Sequence, residues 1–142
     1  MKISDRIIRS RGEVPSNDRR EIPVGEQHAY EAYAKTEGFP QMGFSLFCRN
    51  GERHVFFYHN MDNLDLIEQG EDQYVRFTHR GKAVTMRGRD LHGLIEAVIA
   101  HTLQAIYEFD DELYAPLPTT ARIVDRVAVT TLPGSVPGSL PS

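Results

Sequence analysis

Six histidines, a single cysteine and a run of arginines are the side chains in this 142-residue sequence whose types could do chemistry. The histidines are His28, His54, His59, His79, His92 and His101. A zinc ion needs three or four ligands converging on one point, and the spacing works against that. His54 and His59 are an odd number of residues apart, so on a strand they point to opposite faces. His92 and His101 diverge around a helix, and His92 with Glu96, one turn later, supplies only two ligands. No Cys-rich or HExxH pattern is present. Neither a metal nor a cofactor is expected.

Nucleophilic catalysis needs an activated Ser or Cys beside a base. Ser45, Phe47 and His54 share one face of a predicted hairpin, but no glycine-rich elbow accompanies them. Cys48 reads as a small buried hydrophobe. The acids Asp62 and Asp65, and the pair Glu71-Asp72, read as turn residues. They also keep open an alternative: a small hydrolase or transferase using His54 or His59 with these loop carboxylates. The charge pattern says more. Between Tyr74 and Arg89 stand Arg76, Arg80, Lys82 and Arg87, with no acid among them. Tyr74, Arg76, Arg87 and Arg89 form a candidate anion-binding face, suited to an acidic peptide or a phosphate-bearing ligand, with Tyr74 opposite Arg87 in cation–π range. Nucleic acid is not an expected partner, because these cations are not interleaved with exposed stacking aromatics.

The elements that must position these groups are legible from punctuation and periodicity. With 40% hydrophobic and 25% charged residues and a net charge of −4, the chain suits one soluble domain with tails. One cysteine excludes an intrachain disulfide, no run is long enough to span a membrane, and the start lacks the apolar segment of a secretory signal, so a cytoplasmic location is the expectation. Residues 1–25 read as a flexible or partner-dependent arm, residues 26–131 as one domain, and the Pro/Gly/Ser-rich 132–142 as a disordered tail. Residues 26–37 are compatible with a short helix. Asn50-Gly51 predicts a two-residue hairpin turn. It places Phe44, Leu46, Val55 and Phe57 on a core face, and Ser45, Phe47, His54, Phe56 and Tyr58 behind it. Residues 64–68 form a third strand. Arg80-Gly81 makes a second hairpin, pairing Phe77 with Val84, Val75 with Met86, and Tyr74 with Arg87. The run from Asp90 to Phe109 has apolar residues at helical spacing behind an Asp90 cap and predicts one long helix. Residues 121–131 are a last strand, with Ile123, Val127 and Val129 inward.

The expected fold is therefore α+β: an antiparallel meander of about five strands packed on one long helix, with a final C-terminal strand. Its element order resembles that of pleckstrin-homology-like domains, where a curled sheet is closed by one helix. The stretch VTMRGRDLHGLIEAV is similar to short bacterial proteins that carry a strand, a Gly-Arg-Asn/Asp-Leu junction and a helix, a resemblance that implies no activity. The back of the helix is small and nearly uncharged at Gly93, Ala97 and Ala100. With Phe47, His54, Phe56 and Tyr58 it makes a candidate partner face, covered either in cis or by a second copy of the chain. The functional expectation is a non-catalytic binding or assembly module that self-associates.

Overall fold

The computed structural model of the protein describes residues 27–133. The expected arm over 1–25, and all of the expected tail beyond residue 133, lie outside the described residues. Two compact units divide the chain. In the smaller, residues 27–30 and 110–117 are described. There Asp110 closes a tight turn, its carboxylate accepting the Glu112 amide at 3.0 Å. Backbone bonds tie His28 to Leu113 and Ala115, and the Tyr30 and Tyr114 rings meet edge to face at 4.9 Å.

The larger unit is mostly β. Its elements are β1 (Tyr33–Lys35), β2 (Gly43–Phe47), β3 (Arg53–Phe57), a 3-10 turn (Tyr58–Asn60), β4 (Met61–Gln69), β5 (Asp72–His79), β6 (Lys82–Arg89), α1 (His92–Ile99), β7 (Leu103–Tyr107) and β8 (Ile123–Thr131). They form two four-stranded sheets, in the orders β1-β7-β2-β3 and β4-β5-β6-β8. Phe44 and Phe56 of the first sheet meet Phe77 of the second at ring distances of 6.1 and 5.2 Å. Buried Leu46, Val75, Val84 and Met86 belong to the same core. The expectation of a single meander on a long helix is thus corrected to two sheets and one short helix.

That correction has a local cause. The apolar run after Asp90 is a helix only to Ile99. His101 then takes a left-handed conformation, φ 61°. The Thr102 amide bonds the Ala97 carbonyl, and the His101 amide bonds the Val98 carbonyl. This pair of bonds is the Schellman ending, usually built on glycine. Beyond it the chain enters β7, with β1 antiparallel on one side and β2 parallel on the other. A central strand covered on both faces reads as a near-continuous apolar run, which periodicity does not separate from a helix. Asp90 is not the cap either: it has φ 59°, and its carboxylate receives Arg122 at 3.3 Å. The short helix expected over 26–37 is also absent from the described part of that stretch, which β1 and bends occupy.

The second hairpin has the expected register, Phe77↔Val84, Val75↔Met86 and Tyr74↔Arg87, with both Arg80 and Gly81 at positive φ. The first does not. A two-residue Asn50-Gly51 loop of type I′ needs positive φ at both positions, and only Gly51 has it. The loop is instead Arg49-Asn50-Gly51: the Gly51 amide bonds the Cys48 carbonyl, and the Asn50 side chain accepts the Glu52 amide. Phe44 therefore faces Phe56, and Leu46 faces His54. One extra loop residue turned all of β3 over. Phe56 is in the core, while Val55 and Phe57 are outside.

Candidate functional site

Four strands end the two sheets, and three of them carry devices that discourage pairing with another chain. β1 is three residues long and irregular between Ala34 and Lys35. β4 bulges between Asp62 and Asp65, with Asn63 at φ 57°, and presents Asp62, Asp65 and Glu68 to solvent. β8 is irregular opposite Arg87 and Gly88, and its outward residues include Arg126 and Thr130. The fourth, β3, pairs regularly over all five residues and exposes Val55 (48%) and Phe57 (39%). The Tyr58 amide bonds back to Met42, so by antiparallel alternation the amides of Arg53, Val55 and Phe57 point away from β2. Among the described residues, the Arg53 and Val55 amides have no partner.

Two side chains shape that edge. Arg53 lies over the Phe47 ring at 5.3 Å, and its Nε and Nη2 both donate to Ser45 Oγ at 3.1 and 2.9 Å. Phe47 in turn stacks on Tyr107 at 5.1 Å. The guanidinium is held in place with no carboxylate bonded to it among the described residues. At the other end, His79 Nε2 accepts the Phe57 amide at 2.9 Å. His79 is buried, and burial pushes its imidazole below the ordinary value, with the positive charge of Arg80 adding to the effect. A second buried polar seam joins the sheets at Glu108. Its Oε1 accepts the Arg49 amide at 2.8 Å, and its Oε2 accepts the Val127 amide at 3.0 Å.

The groups expected to form a partner face are split up. Phe47 and Phe56 lie on opposite faces of the β2–β3 hairpin and both are buried. Ser45 and His54 are likewise on opposite faces, so the expected sharing of a face is corrected. His54 stacks on Phe56 and pairs with exposed Glu52 at 3.1 Å. Tyr58 is buried, its hydroxyl donating to the Leu103 carbonyl at 2.7 Å. Ala97 of α1 is buried, and Ala100, which follows the last helical residue, is exposed. Gly93 is covered in cis, since a Cβ there would run into the Tyr33 hydroxyl. Cys48 is buried.

The expected anion face is largely matched from within. Arg76 pairs with Asp65 at 3.6 Å, and two hydrogen bonds to Asp125 hold Arg87 above its ordinary value. Tyr74 stands opposite Arg87 and Ile67. Arg89 pairs with Ile123 across the ladder, and its Nε is buried without a hydrogen-bond partner. No group of three His, Cys, Asp or Glu among the described residues is placed to hold a metal. No helix among them is long and apolar enough to cross a membrane. Reading the sequence alone passes over Arg53 and Glu108 and weighs His79 only as a metal ligand. His79 has a usable signal: it succeeds Val75 and Phe77 at the period of a strand, on the inward side. Comparison with family models, curated protein sequences and solved structures found no match to this chain.

Proposed function

We propose that the protein is a non-catalytic assembly module that self-associates by pairing the β3 edge of two copies. The observation that carries this reading is that β3 alone among the described sheet edges is regular and flanked by exposed apolar side chains, with the Arg53 and Val55 amides open and only the Phe57 amide taken, by His79. An antiparallel pair about a two-fold axis at Val55 puts Val55 against its counterpart and Arg53 against Phe57 of the other copy. The first contact is apolar. The second repeats between copies the guanidinium-on-ring contact that Arg53 makes with Phe47 within one chain. Main-chain bonds supply the affinity of such strand addition, and side chains set its register.

A strand from a different protein would use the same edge. Arg53, bonded to Ser45 and to no carboxylate among the described residues, favours an acidic side chain opposite it. The hydrolase alternative has less support. Ser45 donates nothing to His54 across the hairpin, and the contact shown for His59 is to the Phe57 ring at 6.2 Å.

Sedimentation velocity between about 1 and 100 μM tests the assembly, a span in which association free energies of roughly 5–8 kcal/mol become visible. Wild type is expected to shift toward a dimer across that range, and Val55→Lys to stay monomeric with unchanged folding. A wild type that is monomeric throughout, or a Val55→Lys variant that associates equally well, rejects the reading.

A further inference from the structure

His79 ends β5 on its inner face, against the Phe56 ring at 5.1 Å and the Phe57 ring at 6.4 Å. Its Nε2 accepts the Phe57 amide. A ring nitrogen that accepts carries no proton, so the proton of this neutral imidazole sits on Nδ1. We infer that His79 is a proton-operated latch on the β3 edge: neutral, it holds the Phe57 amide inward, and when a solvent proton adds to Nε2 the acceptor is lost and the amide is released. The latch needs no partner chain. Only its consequence, one more free amide on the pairing edge, rests on the assembly proposed above.

The surroundings favour the neutral form. Phe56 and Phe57 from β3 offer no charge. Arg80 and Lys82 from the β5–β6 turn and strand, and His59 from the 3-10 turn, are cationic or able to become so. Burial is the largest cause that lowers the imidazole's affinity for a proton. The charges of Arg80 and Lys82, with His59, act the same way against an opposing contribution from its own backbone. A base whose folded value lies below its unfolded one contributes stability that is complete above the unfolded value, about 6.5 for histidine. That contribution is lost as the pH falls from there toward the depressed folded value, because the unfolded chain then binds the extra proton.

Nuclear magnetic resonance on the full ¹⁵N-labelled chain tests the latch. At pH 8 the His79 ring is expected to be the Nδ1–H tautomer. Between pH 8 and a pH at which the His79 ring itself is seen to be protonated, Phe57 amide protection, corrected for the intrinsic exchange rate, is expected to fall by at least roughly fivefold, the factor one net hydrogen bond is worth. The Val75 and Val84 amides should keep theirs. His79→Gln offers a carbonyl acceptor that does not titrate, so its Phe57 protection should not vary with pH, whereas His59→Gln should keep the pH-dependent loss, with the His79 titration moved upward by the removal of a neighbouring charge. An Nε2–H tautomer in wild type, a pH-independent Phe57 amide, or the same loss in His79→Gln overturns the latch. If His79→Gln does not fold, the wild-type tautomer and exchange decide alone. Sedimentation at both pH values separates the two proposals. A latch that opens on a strict monomer leaves the latch standing and removes the assembly. Association with constant Phe57 protection does the reverse.

Discussion

Tyr58 lies flat on His101, ring centroids 4.3 Å apart, with its hydroxyl on the Leu103 carbonyl. Burial pushes the phenol up to about 12. By linkage, an acid held protonated in the folded state contributes stability below its unfolded value, about 10, and loses it as the pH climbs toward the folded one. Urea unfolding is therefore expected to show falling stability between roughly pH 10 and 12. Tyr58→Phe should flatten that slope and cost about 0.5–1.5 kcal/mol at pH 7 through the lost hydrogen bond. A slope unchanged in Tyr58→Phe would place the alkaline titration elsewhere. Glu108 teaches the complementary lesson. Taken as part of a helix it is one more surface acid, yet it is 5% exposed and satisfies two amides from β8 and the β2–β3 turn. Nothing in its neighbours along the chain signals that role, because both donors are distant in sequence.

At the scale of elements, the end of α1 decides the most. A non-glycine residue in the left-handed region costs roughly 1–2 kcal/mol, and His101 bears that cost while stacking on Tyr58. A stack of this kind is worth about 0.5–1.5 kcal/mol. His101→Gly removes both, so its stability should lie within about 1 kcal/mol of wild type. His101→Ala keeps the cost and loses the stack, so it should be the less stable variant by about 1 kcal/mol. Thermal or urea melts of the two variants check the order, and Ala above Gly would contradict the observed ending. The hairpins show how far turn chemistry carries. Arg80-Gly81 sits in the two-residue geometry expected of it, and its register matches pair by pair. Asn50-Gly51 carries the stronger local signal, yet Cys48, Asn50 and Glu52 recruit a third loop residue.

At the largest scale, the bigger unit is held by what lies between its two sheets. Phe56 is 2% exposed and touches Phe44, Phe77 and His79, whereas its neighbour Val55 is on the open edge. Phe56→Ala should cost about 3–5 kcal/mol, the range for large-to-small changes in a packed core. Val55→Ala should cost less than about 1 kcal/mol. The expected two-residue turn demands the opposite ranking, so denaturant melts of this one pair of variants distinguish the two registers. The same inversion carries the functional proposal, since it moves Val55 and Phe57 from an imagined core to a sheet edge.

The sequence by itself determined where most strands run, the β5–β6 register and the alternation of Val75 and Phe77 against Val84 and Met86. Those features rest on contacts between near neighbours in the chain, where local turn geometry and a period of two suffice. Tertiary structure decided that residues 103–107 are a strand, that Phe56 rather than Val55 is buried, and that His79 and Glu108 close seams between sheets. Each of these depends on a partner far away in sequence: β1 and β2 on either side of β7, Phe77 beneath Phe56, the Phe57 and Val127 amides waiting for an acceptor. An apolar run or a lone polar residue acquires its conformation and its role only once that distant surface is in place.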